Sequence, residues 1–179
     1  MIIDVIDKDK NEINRFKNKA LILLGFSGGF RRSELVGIDY EDLDFVREGV
    51  KIFVKRSKTD QSGEGMTKGI PYFSNPKYCP VVSLKKWIEK TKLRSGKIFD
   101  ISDKSVALII KKYTFLAGLD PNKYSGHSLR SGFATSTAEL GAEERSIMAM
   151  TGHKTTQMVR RYIKEANLFK NNALNKIKI

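Results

Sequence analysis

Strand-like alternation of apolar and polar residues is confined to one part of this chain, and no other feature narrows its fold class as far. Val50, Ile52 and Val54 alternate with Lys51, Phe53 and Lys55, a period of two. Ser57 to Lys68 is rich in Gly, Ser, Thr and charge and is expected to be a loop. Gly69-Ile70-Pro71-Tyr72-Phe73 then reads as a returning strand, with Pro71 marking an edge. The result is one small hairpin with a mobile tip. Elsewhere the spacing is helical. Ile13, Phe16, Ala20, Leu23 and Leu24 predict an amphipathic helix over about 10–25, ended by Ser27-Gly28-Gly29. A short helix is expected from Arg31, and Asp39 to Asp44 reads as a turn. Further helices are expected from Pro80 to about Lys90 with Trp87 and Ile88 inward, and from Lys104 to Ala117. Others should run from Ser125 or Gly126 to Leu140, from Ala142 to Met150, and from Thr155 through Tyr162. The tail after Ala166 carries Phe169, Ala173 and Ile177 at spacings of four, a weak terminal helix. The expected fold class is mainly α with a small antiparallel β-sheet (α+β). We expect one domain over 1–179, with its core at about 12–165 and a tail at 166–179.

Charge then narrows the partner. Thirty-three Lys and Arg against twenty Asp and Glu give a net charge of +13, which favours a polyanion, nucleic acid first. The competing explanation, a basic bias of composition, means that charge alone names no reaction. No apolar run approaches the roughly 18 residues of a membrane span. The start, Met1-Ile2-Ile3-Asp4, lacks the basic residues of a signal peptide, and the single Cys79 has no partner for an internal disulfide. A cytoplasmic protein without membrane contact is expected. With one cysteine, two histidines and scattered acids, neither a zinc site nor a two-metal nuclease is expected. No Gly-x-x-x-x-Gly-Lys-Ser/Thr loop for nucleotide phosphates occurs. The expectation is therefore no cofactor and no metal.

The residues able to do chemistry fall in a few short motifs. His127 and Arg130, three apart, share a helix face; a guanidinium holds phosphate oxygens bidentately, and imidazole donates a hydrogen bond or moves a proton. Taken alone, such a pair on a basic protein is more often a surface pair. His153 follows Gly152 and precedes a helix, where a capping role competes with a ligand contact. Tyr162, in Val159-Arg160-Arg161-Tyr162-Ile163, would by itself read as a half-buried packing residue. As a nucleophile it needs cationic neighbours, which Arg160, Arg161 and the other cations supply. Arg31 or Arg32 follows a Gly-Gly turn that lets backbone approach a phosphate, and Glu34 could hold Arg31 in a salt bridge. Lys58, in Ser57-Lys58-Thr59-Asp60-Gln61, could swing into a groove and donate a proton to a leaving oxygen; a solvated loop lysine is the plainer reading.

In order, Gly29-Phe30-Arg31-Arg32-Ser33-Glu34-Leu35, Lys58, Ser125-Gly126-His127-Ser128-Leu129-Arg130, Thr151-Gly152-His153 and Arg161-Tyr162 resemble the motifs of the tyrosine recombinases, the phage integrase family. The likeness runs from about residue 12 to about 165 and selects Arg31 over Arg32. It implies the catalytic-domain architecture of that family and site-specific DNA recombination. Tyr162 would attack a phosphate to leave a 3′-phosphotyrosyl link. Arg31 and Arg130 would neutralise the nonbridging oxygens, with His153 adding a hydrogen bond and Lys58 protonating the departing 5′-oxygen. His127 would position the phosphate or accept the tyrosine proton. Neither ATP nor metal would be required. The implied partner is double-stranded DNA in the nucleoid. A protein monomeric when free would assemble as a tetramer on DNA, with the tail docking on a neighbour. The family's N-terminal core-binding domain is expected to be absent, because fewer than 30 residues precede the first motif, and weak, poorly specific DNA binding would follow. Gly28, where many members have threonine, is expected to be harmless. Two alternatives share much of this pattern. They are relaxation of the type IB topoisomerase kind and a non-catalytic DNA-binding remnant.

Overall fold

Asn11 accepts the backbone N–H of Asn14 at 2.9 Å and so caps the longest helix among the described residues, α2 (Glu12–Ser27), whose apolar stripe enters the core. The structure is a computed structural model that describes residues 1–55, 64–153 and 155–166. A short helix, α1 (Ile2–Ile6), precedes α2 and was not legible in the sequence; α3 (Arg32–Gly37) follows it. Next come three strands, β1 (Leu43–Val46), β2 (Gly49–Val54) and β3 (Met66–Pro71). The remaining helices are α4 (Pro80–Thr91), α5 (Asp103–Leu116), α6 (Ser128–Glu139), α7 (Glu144–Thr151) and α8 (Thr156–Ala166). Each expected helix up to α8 is present within a few residues of its expected bounds. The terminal helix expected after Ala166 and the loop tip around Lys58 lie outside the described residues.

The sheet is antiparallel, in the order β1-β2-β3, so the expected hairpin gains a strand at its other edge. β1 begins within the segment read as a turn. It is four residues long and only half-buried, too short for alternation to register. β3 starts earlier than expected, because the pairs Val54↔Met66, Ile52↔Lys68 and Val50↔Ile70 extend it back into the segment read as loop. Val50, Ile52 and Val54 face inward while Lys51 and Phe53 face out, as period two demands. Register then forces Lys68, opposite Ile52, onto the buried face.

The main core gathers Leu21, Leu24, Phe30, Leu35, Ile52 and Ile70 with residues of α4 and α5. Trp87 and Ile88 are buried, and the Trp87 indole donates to the Ile98 carbonyl at 2.8 Å. Gly25 lets α6 and α3 close on α2: a Cβ there would sit 2.7 Å from Leu129 and 2.9 Å from Leu35. That approach brings the start of α6 beside the turn that precedes α3. A second, smaller apolar cluster comprises Ala134, Ala138, Ile147 and Val159, with Met148, Tyr162 and Ile163 against it. Through it α8 packs on α6 and α7. Among the described residues, no helix is long and apolar enough to cross a membrane.

Candidate active site

The turn after α2 organises the site through its carbonyls. Gly29 has φ +54°, a conformation that costs a non-glycine residue roughly 1–2 kcal/mol. This geometry accompanies two buried cations on adjacent carbonyls. Lys68 donates to Gly28 O at 2.9 Å, and Arg130 Nη1 donates to Gly29 O at 2.9 Å. The Phe30 ring lies 4.3 Å beneath the Lys68 ammonium and fills the space a Cβ at Gly28 would need.

Arg31 caps the start of α3. Its backbone N–H donates to Glu34 Oε2 at 2.9 Å and its guanidinium to Glu34 Oε1 at 2.5 Å, so the expected Glu34 salt bridge is present. The same carboxylate faces Lys68 at 3.7 Å, too long for a hydrogen bond but a full ion pair, with both side chains wholly buried. Burial alone would raise the Glu34 pKa. The Lys68 charge and the Arg31 amide and guanidinium outweigh it and hold the carboxyl below its ordinary value. Lys68 shifts the other way for an amine, down to about 8, because burial and the charges of Arg130 and Arg31 exceed the pull of one carboxylate. The two shifts agree once the cations are counted. Arg31, Lys68 and Arg130 lie around the one Glu34 carboxylate, and each cation disfavours the charge of its neighbours.

Arg130 is the largest fully buried side chain in the described residues, at 1% exposure. Burial, then Arg31, lowers its pKa to about 10, which leaves the guanidinium charged at neutral pH. Its Nη2 is buried with no hydrogen-bond partner. An orphaned guanidinium nitrogen costs free energy unless a ligand meets it.

His127 is the residue before the first turn of α6, positioned by reciprocal bonds: Ser125 N–H donates to Ser128 Oγ at 2.8 Å, and His127 N–H to Ser125 Oγ at 3.2 Å. Partial burial, then Arg130, Arg31 and Arg32, lowers the pKa of its ring. At the end of α7, Gly152 turns the chain with φ +64° and delivers His153 to the same place. His153 is 7% exposed, and its Nδ1 lies 2.8 Å from Thr151 Oγ1. Burial first, then Arg130, Arg31 and His127, brings its pKa down to about 4, so the ring is neutral near pH 7. Tyr162, half-buried on α8, stacks on His153 with centroids 6.1 Å apart and planes at 29°.

Five of the six residues singled out in the sequence, Arg31, His127, Arg130, His153 and Tyr162, line one open cleft of about 340 Å³; Gln157, Met158 and Arg161 complete it. A broader groove of about 720 Å³ adjoins it and shares His127, Arg161 and Tyr162. Lys58 lies outside the described residues. Sequence reading missed Lys68, placed in a loop, and gave Thr151, within the Thr151-Gly152-His153 motif, no role of its own. The signal for Lys68 was present, because Met66, Lys68 and Ile70 continue the inward period of a strand.

The sequence matches the phage integrase family over residues 2–168. It is 48% identical to an integrase/recombinase xerD homolog of Selenomonas ruminantium, across 99% of this chain and 55% of that protein. It is 30% identical to tyrosine recombinase XerC of Syntrophus aciditrophicus, across 82% of this chain and 48% of that protein. The chain thus spans about half the length of the curated relatives it matches. In fold it is similar to the XerH site-specific recombinase in a post-cleavage complex with palindromic difH substrate. That match has a TM-score of 0.74 at 19% identity and covers 96% of this chain and 51% of that one. The XerA recombinase matches with a TM-score of 0.72 at 18% identity, covering 99% and 61%. The cationic cleft, the order of its motifs and these matches agree: the chain belongs to the phage integrase family, the tyrosine recombinases.

Proposed function

We propose that this chain cuts and rejoins DNA strands at specific sites through a covalent link between Tyr162 and a 3′-phosphate. The observation that carries the proposal is Arg130: a buried fork with one arm fixed to Gly29 O and the other unpartnered, in the wall of the cleft that holds Tyr162. A phosphodiester oxygen supplies the missing acceptor and the missing negative charge.

In this reading Arg31 and Arg130 hold the nonbridging oxygens and favour the transition state, where their charge rises. The Tyr162 oxygen forms a bond to phosphorus while the bond to the 5′-oxygen breaks. The phenol proton passes to a cleft base, for which His127 is the candidate, and the 5′-oxygen takes a proton from Lys58, a role that rests on the family likeness. A 5′-hydroxyl from a partner strand reverses these steps and completes exchange. Each step trades one phosphate ester for another, so neither ATP nor a metal ion enters the balance. The DNA complexes in the structures it resembles and the +13 charge support double-stranded DNA as the partner, and the family likeness supports assembly of several copies on it. The relatives it matches carry the names of recombinases and integrases, which favours exchange over simple relaxation or a catalytically silent remnant.

The test uses nicked duplexes of randomised sequence, labelled on the strand that keeps the 3′-phosphate. The expected product is a protein–DNA adduct that survives denaturation, is absent from Tyr162→Phe and forms far more slowly in Arg130→Ala. An adduct that persists in Tyr162→Phe, or none from the unaltered protein under any condition, overturns the reading.

A further inference from the structure

Thr151, the last residue of α7, presents one hydroxyl hydrogen to two close neighbours. Its Oγ1 lies 2.7 Å from the Ile147 carbonyl oxygen and 2.8 Å from His153 Nδ1. Two oxygens at the first distance with no hydrogen between them would set lone pair against lone pair. The hydroxyl hydrogen therefore belongs on the line to Ile147 O, and the hydrogen on the second line must come from the imidazole. In a neutral ring, a hydrogen on Nδ1 leaves Nε2 bare, an acceptor only. With Nδ1 turned to Thr151, Nε2 is the nitrogen left for the cleft that the ring lines.

We propose that Thr151 is a positioning residue that fixes His153 as the Nδ1–H tautomer, so that His153 can donate to an anion in the cleft only after Nε2 takes up a proton. Anion binding and proton uptake are thereby coupled. The proposal rests on the reading of the cleft as a phosphate site.

The surroundings explain why the proton arrives with the anion. His153 is faced by Arg31 at the start of α3 and Glu34 on it, by His127 at the start of α6 and Arg130 on it, and by Arg161 and Tyr162 from α8. Burial and the cations oppose a further positive charge, with Glu34 alone favouring it, and the free ring is neutral near pH 7. A bound anion offsets those cations and gives an Nε2–H something to donate to. Affinity should then fall by up to about tenfold per pH unit once pH exceeds the pKa of the bound ring. The Thr151 methyl packs at the Gly29 turn, 3.1 Å from the position of a Cβ there, so valine keeps that packing while it removes the hydroxyl.

The experiment reads nitrogen protonation and proton uptake, with inorganic sulfate as the probe because it does not titrate near neutrality. Long-range proton–nitrogen spectra of the 15N-labelled protein report each ring nitrogen, and with only two histidines His153→Asn assigns them. In the free protein near pH 7, His153 is expected to carry hydrogen on Nδ1 and none on Nε2. Near pH 6, with sulfate, both nitrogens should be protonated. Titration calorimetry in two buffers of different ionisation enthalpy should then show uptake approaching one proton. Thr151→Val should lose the tautomer preference and most of the uptake, and Thr151→Ser should restore both. An Nε2–H ring in the free protein overturns the proposal without recourse to any variant. So does sulfate binding without proton uptake, or uptake unchanged in Thr151→Val. If the tautomer and uptake appear but no Tyr162 adduct forms, strand cleavage alone fails and this coupling stands.

Discussion

Replacing Glu34 by glutamine tests how the cation cluster is held. The Glu34 carboxylate, wholly buried, binds the Arg31 guanidinium at 2.5 Å and the Arg31 amide at 2.9 Å, and faces Lys68 at 3.7 Å. Glutamine keeps the shape and one acceptor oxygen but turns an N–H₂ toward a cation. Removing one partner of a buried pair typically costs about 3–5 kcal/mol. A domain of this size loses about 2–4 °C in Tm per kcal/mol, so the drop should be roughly 6–20 °C. The lower half of that range is expected, because Lys68 has a cheap escape. With a pKa of about 8 it can shed its proton near pH 7 for roughly 1–2 kcal/mol. The escape also fixes the pH dependence. The Lys68 pKa is lower folded, about 8, than the ordinary 10.5, so between those values the unfolded chain binds the extra proton and stability rises with pH. The Glu34→Gln penalty should therefore be largest near pH 6 and shrink near pH 9. Urea unfolding followed by circular dichroism at both pH values measures it. A penalty under about 1 kcal/mol near pH 6, or one that grows toward pH 9, would refute the shared-carboxylate account.

Arg130→Ala should cut adduct formation by about 10²–10³ in rate, the usual cost of losing a fixed donor to a developing oxyanion, and this is read from single-turnover gels. Gly29→Ala should cost about 1–3 kcal/mol in denaturant unfolding, because φ is +54° and the new Cβ meets the Phe133 ring at 3.0 Å and the Thr151 methyl at 3.1 Å. His153 has its pKa lowered from 6.5 to about 4, so it contributes stability that is present above about 6.5 and is lost as pH falls through 4. His153→Asn should accordingly remove roughly 3 kcal/mol from the acid-side stability change between those values, measured by urea titrations at stepped pH. Gly126→Ala places a Cβ 1.8 Å from Arg32 Cδ. The flexible Arg32 side chain should yield with little change in Tm, and a displaced Arg32 should show in a crystal structure of the variant.

The helices were legible because glycines and apolar spacing both act locally. Ser27-Gly28-Gly29 ends α2, Gly141 follows α6 and its cap Leu140, and Trp87 and Ile88 share the inward face of α4. The cleft residues were legible because short motifs carry them. β1 was hidden because its pairing with β2, Leu43↔Ile52 to Val46↔Gly49, is a contact between segments that four residues, three half-buried and one exposed, do not announce. Lys68 was misplaced for a related reason. A lysine suggests solvent until its register with Ile52 is known, and only the fold reveals Glu34 and the Gly28 carbonyl as its partners. Thr151 had no role legible in its motif because its contact depends on where Gly152 sends His153.

Tyr162 and the buried cations beside the cleft hang from different parts of the body. Arg31 and Lys68 are tied into the main core through Phe30, Leu35 and Ile70, whereas α8 is held by the smaller cluster, in which Val159 is its one fully buried residue among those described. Burying one valine contributes about 1.5–3 kcal/mol, well below the stability of a whole domain. The helix with Tyr162 is therefore expected to be held less firmly than Arg31 and Lys68. Amide exchange in α8 should run far ahead of that in α2. On the proposed function, the cations would keep their place on a phosphate while the attacking group is withdrawn.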